Sequence, residues 1–247
     1  MGKHAFSLKT IYLAALTAVF AVSFFAFVAF DLYSQQRQTE QAMLEEARTF
    51  AREMDAVWQF MDNSQSIINN SSSGGYEFKG LHCSVVGKSV GRLFSAGSDY
   101  RIRYTNFDPR SEQDIPDEFE TKALEAFNAD RSVTEYYGVA PFDGEDRFRY
   151  LQALEVDDSC LECHGEPVGE LDITDHAKEG WTLESVGGAI SIVIPLDQQQ
   201  AAMRGNVIRD MAYFLLITVF IGLVILVVTT VFVLRPLGGM HAAFGEL

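Results

Sequence analysis

Two apolar stretches without a charged residue bracket this chain: Ile11–Phe30, 20 residues, and Met211–Leu234, 24 residues. At about 1.5 Å per helical residue each is long enough to cross a hydrocarbon core of roughly 30 Å. The sequence therefore reads as a membrane protein with two spans. Between them, Ser34 to Asp210 holds 32 acidic and 16 basic side chains in 177 residues, a net charge of −16. That is room for one middle-sized acidic domain. The pattern excludes a simple soluble enzyme, a polytopic transporter with a midplane site and a basic nucleic-acid-binding surface.

The first run exceeds the roughly 7–15 apolar residues of a cleaved signal peptide, so an uncleaved signal anchor is expected. Basic residues near the spans do not set the orientation. Lys3, Lys9 and Arg235 lie on one side, and Arg37, Arg48, Arg204 and Arg209 on the other. Two spans do place both termini on one side and the acidic domain on the opposite one.

From Gln35 to about Ile68 the chain is polar and helix-favouring, with Met43, Ala47, Phe50, Met54, Val57 and Met61 spaced 4-3-4-3-4. Such a seam either packs on its own domain or continues the span as a dimeric stalk. The Asn69–Gly75 stretch (NNSSSGG) breaks it. Leu81–Phe94 reads as a helix, Tyr100–Asn106 as a strand, and Pro116–Asp130 as a helix with Phe119, Leu124 and Phe127 on its apolar face. Tyr136–Val139 and Arg147–Val156 form a predicted hairpin around PFDGED, Pro141–Asp146. Gly187–Leu196 reads as a final buried strand, and Gln198–Arg209 as a helical connector into the second span. The fold class expected is α+β.

Cys160–Gly169 reads as a loop, and it opens with Cys160-Leu161-Glu162-Cys163-His164. CxxCH is the attachment sequence of c-type haem. Each thiol adds to one vinyl group of the porphyrin, and the adjacent His164 falls beneath the iron as an axial ligand. Two rivals compete. A zinc site needs about four N/S ligands, and only Cys83, His82 and the distant His176 remain to complete one. A thioredoxin-like or disulfide CxxC would follow a strand and open a helix, whereas Gly165 and Pro167 come next here. A covalent haem would place the domain outside the membrane and both termini in the cytoplasm, as in c-type cytochromes generally.

Four stretches, Arg103–Arg110 (RYTNFDPR), Pro116–Glu120 (PDEFE), Phe148–Gly165 (FRYLQALEVDDSCLECHG) and Gly188–Leu196 (GAISIVIPL), together resemble a family of c-type-haem sensor domains. These PAS-like domains sit between two spans of bacterial signalling proteins such as sensor histidine kinases. The resemblance implies a PAS-like antiparallel sheet with flanking helices, one covalent haem c, and output through the second span. The organisation expected is a cytoplasmic N-terminus (1–10), a first span (11–33), a helical stalk (34–75), an extracytoplasmic haem sensor domain (76–197), a connector (198–210), a second span (211–234) and the start of a HAMP-like segment (235–247). Arg235-Pro236-Leu237 fits the entry to such a module. Family members commonly continue into an enzymatic or chemoreceptor domain. With 13 residues after Leu234, output is expected in a longer chain or in a partner.

The second axial ligand is expected to be Cys83, whose register resembles a family position able to supply a thiolate; a buried free cysteine is the alternative. His82 is the rival ligand, because adjacent helical residues point about 100° apart and only one can face the iron. His176 reads as a surface histidine, and Tyr150, Phe148, Arg103 and Tyr104 as lining or gating the pocket. The function expected is a membrane-anchored sensor of redox state or a small diatomic gas, homodimeric and without nucleic-acid contacts. A tethered monohaem electron carrier is the alternative, and a ligand-binding domain with zinc or a disulfide at the CxxC is a third reading. No paired carboxylates or nucleophile triad points to catalysis.

Overall fold

The computed structural model describes residues 8–75, 77–183 and 185–236. Lys3 and the segment from Leu237 onward lie outside the described residues, so the structure does not bear on the N-terminal charge count or most of the HAMP-like segment. The chain divides into two units, residues 1–39 with 199–247, and residues 40–198.

The first unit holds the N-terminal part of α1 (Leu8–Asn63) and nearly all of α6 (Asp197–Thr229), which ends in a π-helical turn, Thr230–Leu234. Two helical stretches, Thr10–Asn63 and Gln199–Val233, are long and apolar enough to cross a membrane. Phe25, Phe30, Leu216, Phe220 and Phe232 are exposed on them. Phe27 stacks on Phe214 with ring centroids 4.4 Å apart, and the Tyr12 hydroxyl lies 3.0 Å from Thr229 Oγ1.

The second unit is α+β. Its sheet has four antiparallel strands, β1 (Arg101–Thr105), β2 (Glu135–Phe142), β3 (Glu145–Glu155) and β4 (Val186–Pro195), in the order β1-β4-β3-β2. Strand alternation sends successive side chains to opposite faces. One face carries Ile102, Tyr104, Phe148, Tyr150, Ile190, Ile192 and Ile194, all buried, and these pack on Met43, Leu44, Ala47, Ala51 and Met54 of α1. Met43, Ala47, Phe50 and Met54 of the helical seam therefore pack on the domain's own sheet. Each such side chain contributes about 1.5–3 kcal/mol when fully buried.

The other face packs Leu151 and Ala189 on α4 (Glu118–Ala129) through Ala123, Leu124 and Phe127. Pro116 precedes α4 as expected, and Asp117 caps it: its side chain accepts from Glu120 N while Glu120 accepts from Asp117 N. Arg149, 1% exposed on this face, pairs with Asp117 Oδ2 at 2.7 Å.

The hairpin turns at Asp143-Gly144, both at positive φ, inside the expected PFDGED stretch. Two expectations near the site need correction. His82 is not helical: it is the extended N-cap of α3 (Cys83–Ala96), which starts one residue later. The Cys160–Gly169 loop begins as a helix, α5 (Asp158–His164), because Asp157 accepts hydrogen bonds from Ser159 N and Cys160 N and Gly165 stops it.

Candidate haem-binding site

Within the second unit a cavity of about 1520 Å³ is lined by residues from α1, α3, β1, β4, α5 and the loops between them. All three cysteines line it, as do His82, His164, His176 and both tryptophans, Trp58 and Trp181. A small-molecule pocket is typically about 300–1,000 Å³, so this one has room for a large cofactor.

α5 sets the geometry of the motif. Cys160 and Cys163 are three residues apart and share a helix face, and His164 is the last helical residue. The cysteines are free thiols. Burial pushes the Cys160 thiol up to about 11 and Cys163 upward too. A redox CxxC instead lowers its attacking thiol to a reactive thiolate. The CxxC follows β3 and sits on a helix, which is also the placement of a redox CxxC, so the expected contrast in position is not found. Among the described residues no group of three or more His, Cys, Asp or Glu is arranged to hold a metal ion.

His164 is held in place by polar and aromatic partners. Its Nδ1 lies 2.7 Å from Glu179 Oε2. Burial raises the Glu179 carboxyl, but hydrogen bonds from Arg110 and His164 overcome this and hold it below its ordinary value. An ionised carboxylate only accepts, so Nδ1–H donates and the Nε2 lone pair is left available. Burial lowers His164 below its ordinary value, outweighing the upward pull of its hydrogen bond to Glu179. Trp181 stacks on the ring at 4.1 Å between centroids, and its backbone N–H donates to His164 O at 2.7 Å.

Arg110 ties these parts together. Its Nε donates to Glu179 Oε1 at 2.6 Å, Nη1 to Asp172 Oδ2 at 2.6 Å, and Nη2 to both Glu179 Oε2 and the Cys163 carbonyl at 2.9 Å. Asp172 is held well below the usual carboxylate range: burial opposes this, but bonds from Thr174, Arg110 and backbone N–H groups prevail. Arg110 lies in the RYTNFDPR stretch, but Glu179, Asp172 and Trp181 carry no motif.

Cys83 and His82 both line the cavity, at the first helical residue and the N-cap of α3. The 100° argument does not separate them, because His82 is extended. Burial lowers His82, whose Nδ1 lies 2.9 Å from Ser84 Oγ. Burial pushes Cys83 up to about 12. His176 is exposed, as expected, yet also borders the cavity. Tyr104 lines the cavity. Phe148 and Tyr150 lie instead in the α1-facing core, and Arg103 turns to the α4 face, donating to Ile115 O.

The family model for Tll0287-like proteins matches residues 36–195, which is 160 of the 247 residues. The chain belongs to the Tll0287-like family. The matched range takes in His82, Cys83, Arg110, Cys160–His164, Glu179 and Trp181. Among solved structures, the crystal structure of the cyanobacterial haem protein Tll0287 aligns at a TM-score of 0.48 and 17% identity, covering 62% of this chain and 95% of that one. No curated protein matches the sequence.

Proposed function

We propose that the second unit binds one haem c covalently and acts as an extracytoplasmic, membrane-anchored sensor of redox state or of a small diatomic gas. The observation that carries this reading is the convergence on one cavity of Cys160, Cys163 and a His164 whose Nδ1 is engaged by Glu179, leaving Nε2 as the ring nitrogen for a ligand. Membership of the Tll0287-like family, whose solved relative is a haem protein, supports it.

Cys160 and Cys163 would hold the porphyrin through two thioether bonds, each thiol adding across one vinyl group. His164 would hold the iron through Nε2, with Glu179 setting the tautomer and Trp181 the plane of the ring. Haem supplies an iron whose charge changes on reduction and which can take small ligands. Cys83 is the favoured second ligand and His82 the alternative. A PAS-like assignment is compatible with the four-stranded antiparallel sheet and its flanking helices.

Transmission is proposed through the helices. Asp55, Trp58 and Asp62 of α1 border the cavity, and α1 also carries the first apolar run. β4 ends at Pro195 and α6 begins at Asp197. A signal needs two states of different stability with the two forms of the site, since affinity alone shifts nothing. The output is a cytoplasmic domain such as a histidine kinase, in cis or in trans, within a homodimer. A kinase fused after α6 should change activity with dithionite, oxygen, nitric oxide or carbon monoxide. A haem-loaded fusion that ignores all four would favour a tethered electron carrier.

A further inference from the structure

Three tyrosines belong to the α1-facing side of the sheet, and their hydroxyls are treated differently. Tyr100 OH donates to Glu46 Oε1 at 2.7 Å and Tyr150 OH to Glu135 Oε1 at 2.8 Å. The Tyr104 hydroxyl is buried without a hydrogen-bond partner, although the residue is only 5% exposed. Leaving a buried hydroxyl unpaired costs about 1–3 kcal/mol. The ring lies against Trp58, with centroids 5.4 Å apart, and both residues line the cavity that holds the CxxCH motif.

The hydroxyl faces α3 at Gly87, four residues after Cys83. A Cβ at Gly87 would lie 3.0 Å from Tyr104 Oη and 3.1 Å from Trp58 Cε3. The glycine therefore lets the hydroxyl pack directly against α3 one helical turn from the candidate ligand. Burial raises the Tyr104 hydroxyl above its ordinary value, with smaller contributions from Asp55 and Cys83, so it stays a protonated donor. It makes no hydrogen bond to Cys83 itself.

We propose that Tyr104 is the hydrogen-bond donor for a small oxygen-bearing diatomic ligand, of the dioxygen or nitric oxide class, taken up in the cavity on the Cys83 side. The inference rests on the haem reading above. A donor hydroxyl stabilises a bound ligand whose outer atom gains negative charge and does little for carbon monoxide. Tyr104 would thus set ligand preference, and Gly87 would keep its position.

The test uses the full chain, matured with haem and purified in detergent, with haem content measured first. In the reduced protein, Tyr104→Phe should release nitric oxide or dioxygen about five- to tenfold faster, the worth of one hydrogen bond, with carbon monoxide release nearly unchanged. Its bound C–O stretch should move to higher frequency, as should that of Gly87→Ala, whose added methyl displaces the hydroxyl. Unchanged rates and stretches in a fully haem-loaded Tyr104→Phe would overturn the proposal. So would a haem-loaded wild type that takes up none of these ligands. A wild type lacking covalent haem overturns the parent reading as well and is recognised before any ligand is added.

Discussion

His164 Nδ1 and Glu179 Oε2 lie 2.7 Å apart, with Arg110 donating to both oxygens of that carboxylate. A charged acceptor on Nδ1–H pushes electron density toward Nε2 and favours the oxidised metal. Glu179→Gln keeps the shape and removes the charge. The midpoint potential of the haem-loaded protein should rise by on the order of 50 mV, close to one tenfold step for a one-electron couple. Spectroelectrochemical titration reads this, and a potential that does not move would leave Trp181 as the group that orients the imidazole.

Arg110 answers Asp172, whose side chain has no exposed surface, and also the Cys163 carbonyl. Arg110→Ala strands both. Unfolding of the second unit in the intact chain should lose about 2–3 kcal/mol, as expected when one partner of a largely buried pair is removed. Arg110→Lys should recover only part of the loss, since an ammonium cannot reproduce the fork. Denaturant melts followed by tryptophan fluorescence measure it, and a variant as stable as wild type would contradict the assignment.

Glu135 gives the pH dependence. Hydrogen bonds from Arg48, the shortest 2.7 Å, hold its carboxyl below its ordinary value against the cost of burial. A carboxyl lowered in the folded state contributes stability that is complete above its unfolded value of about 4.3 and is lost as pH falls through the folded one. Wild type should therefore melt above Glu135→Gln at pH 7, and the gap should close below about pH 4. A gap that stays constant down to pH 3 would remove the pair as its source.

Cys83 and His82 are separable by spectrum. With Cys83 as the second ligand, Cys83→Ala changes the ferric absorption and raises the potential, because a thiolate stabilises the ferric charge. His82→Ala then leaves both almost untouched. The opposite pattern assigns the position to His82.

Periodicity made the sheet and α4 readable in advance. The alternation in Tyr100–Asn106, the buried run of GAISIVIPL, the PFDGED turn and the apolar face Phe119, Leu124 and Phe127 after Pro116 are all local signals. α5 was missed because Gly165 and Pro167 outweighed the cap at Asp157. The partner of the seam on α1 was ambiguous in sequence, since an apolar stripe does not say whether a sheet or another helix covers it. At the site, Cys160, Cys163, His164 and Cys83 were legible as rare residue types at meaningful spacings. Glu179, Arg110 and Trp181 were not, because they reach His164 only through folding from as far as 54 positions away (164 − 110). The one available hint was scarcity: both tryptophans of the chain border the cavity.

The central claim is that Cys160 and Cys163 carry a haem by thioether bonds. The direct measurement is the haem retained by protein made in cells able to mature c-type cytochromes, after acid–acetone extraction. The account predicts one haem per chain held by wild type and none by Cys160→Ser/Cys163→Ser. A wild-type protein with no Soret band, or one whose haem passes entirely into the organic phase, would contradict it.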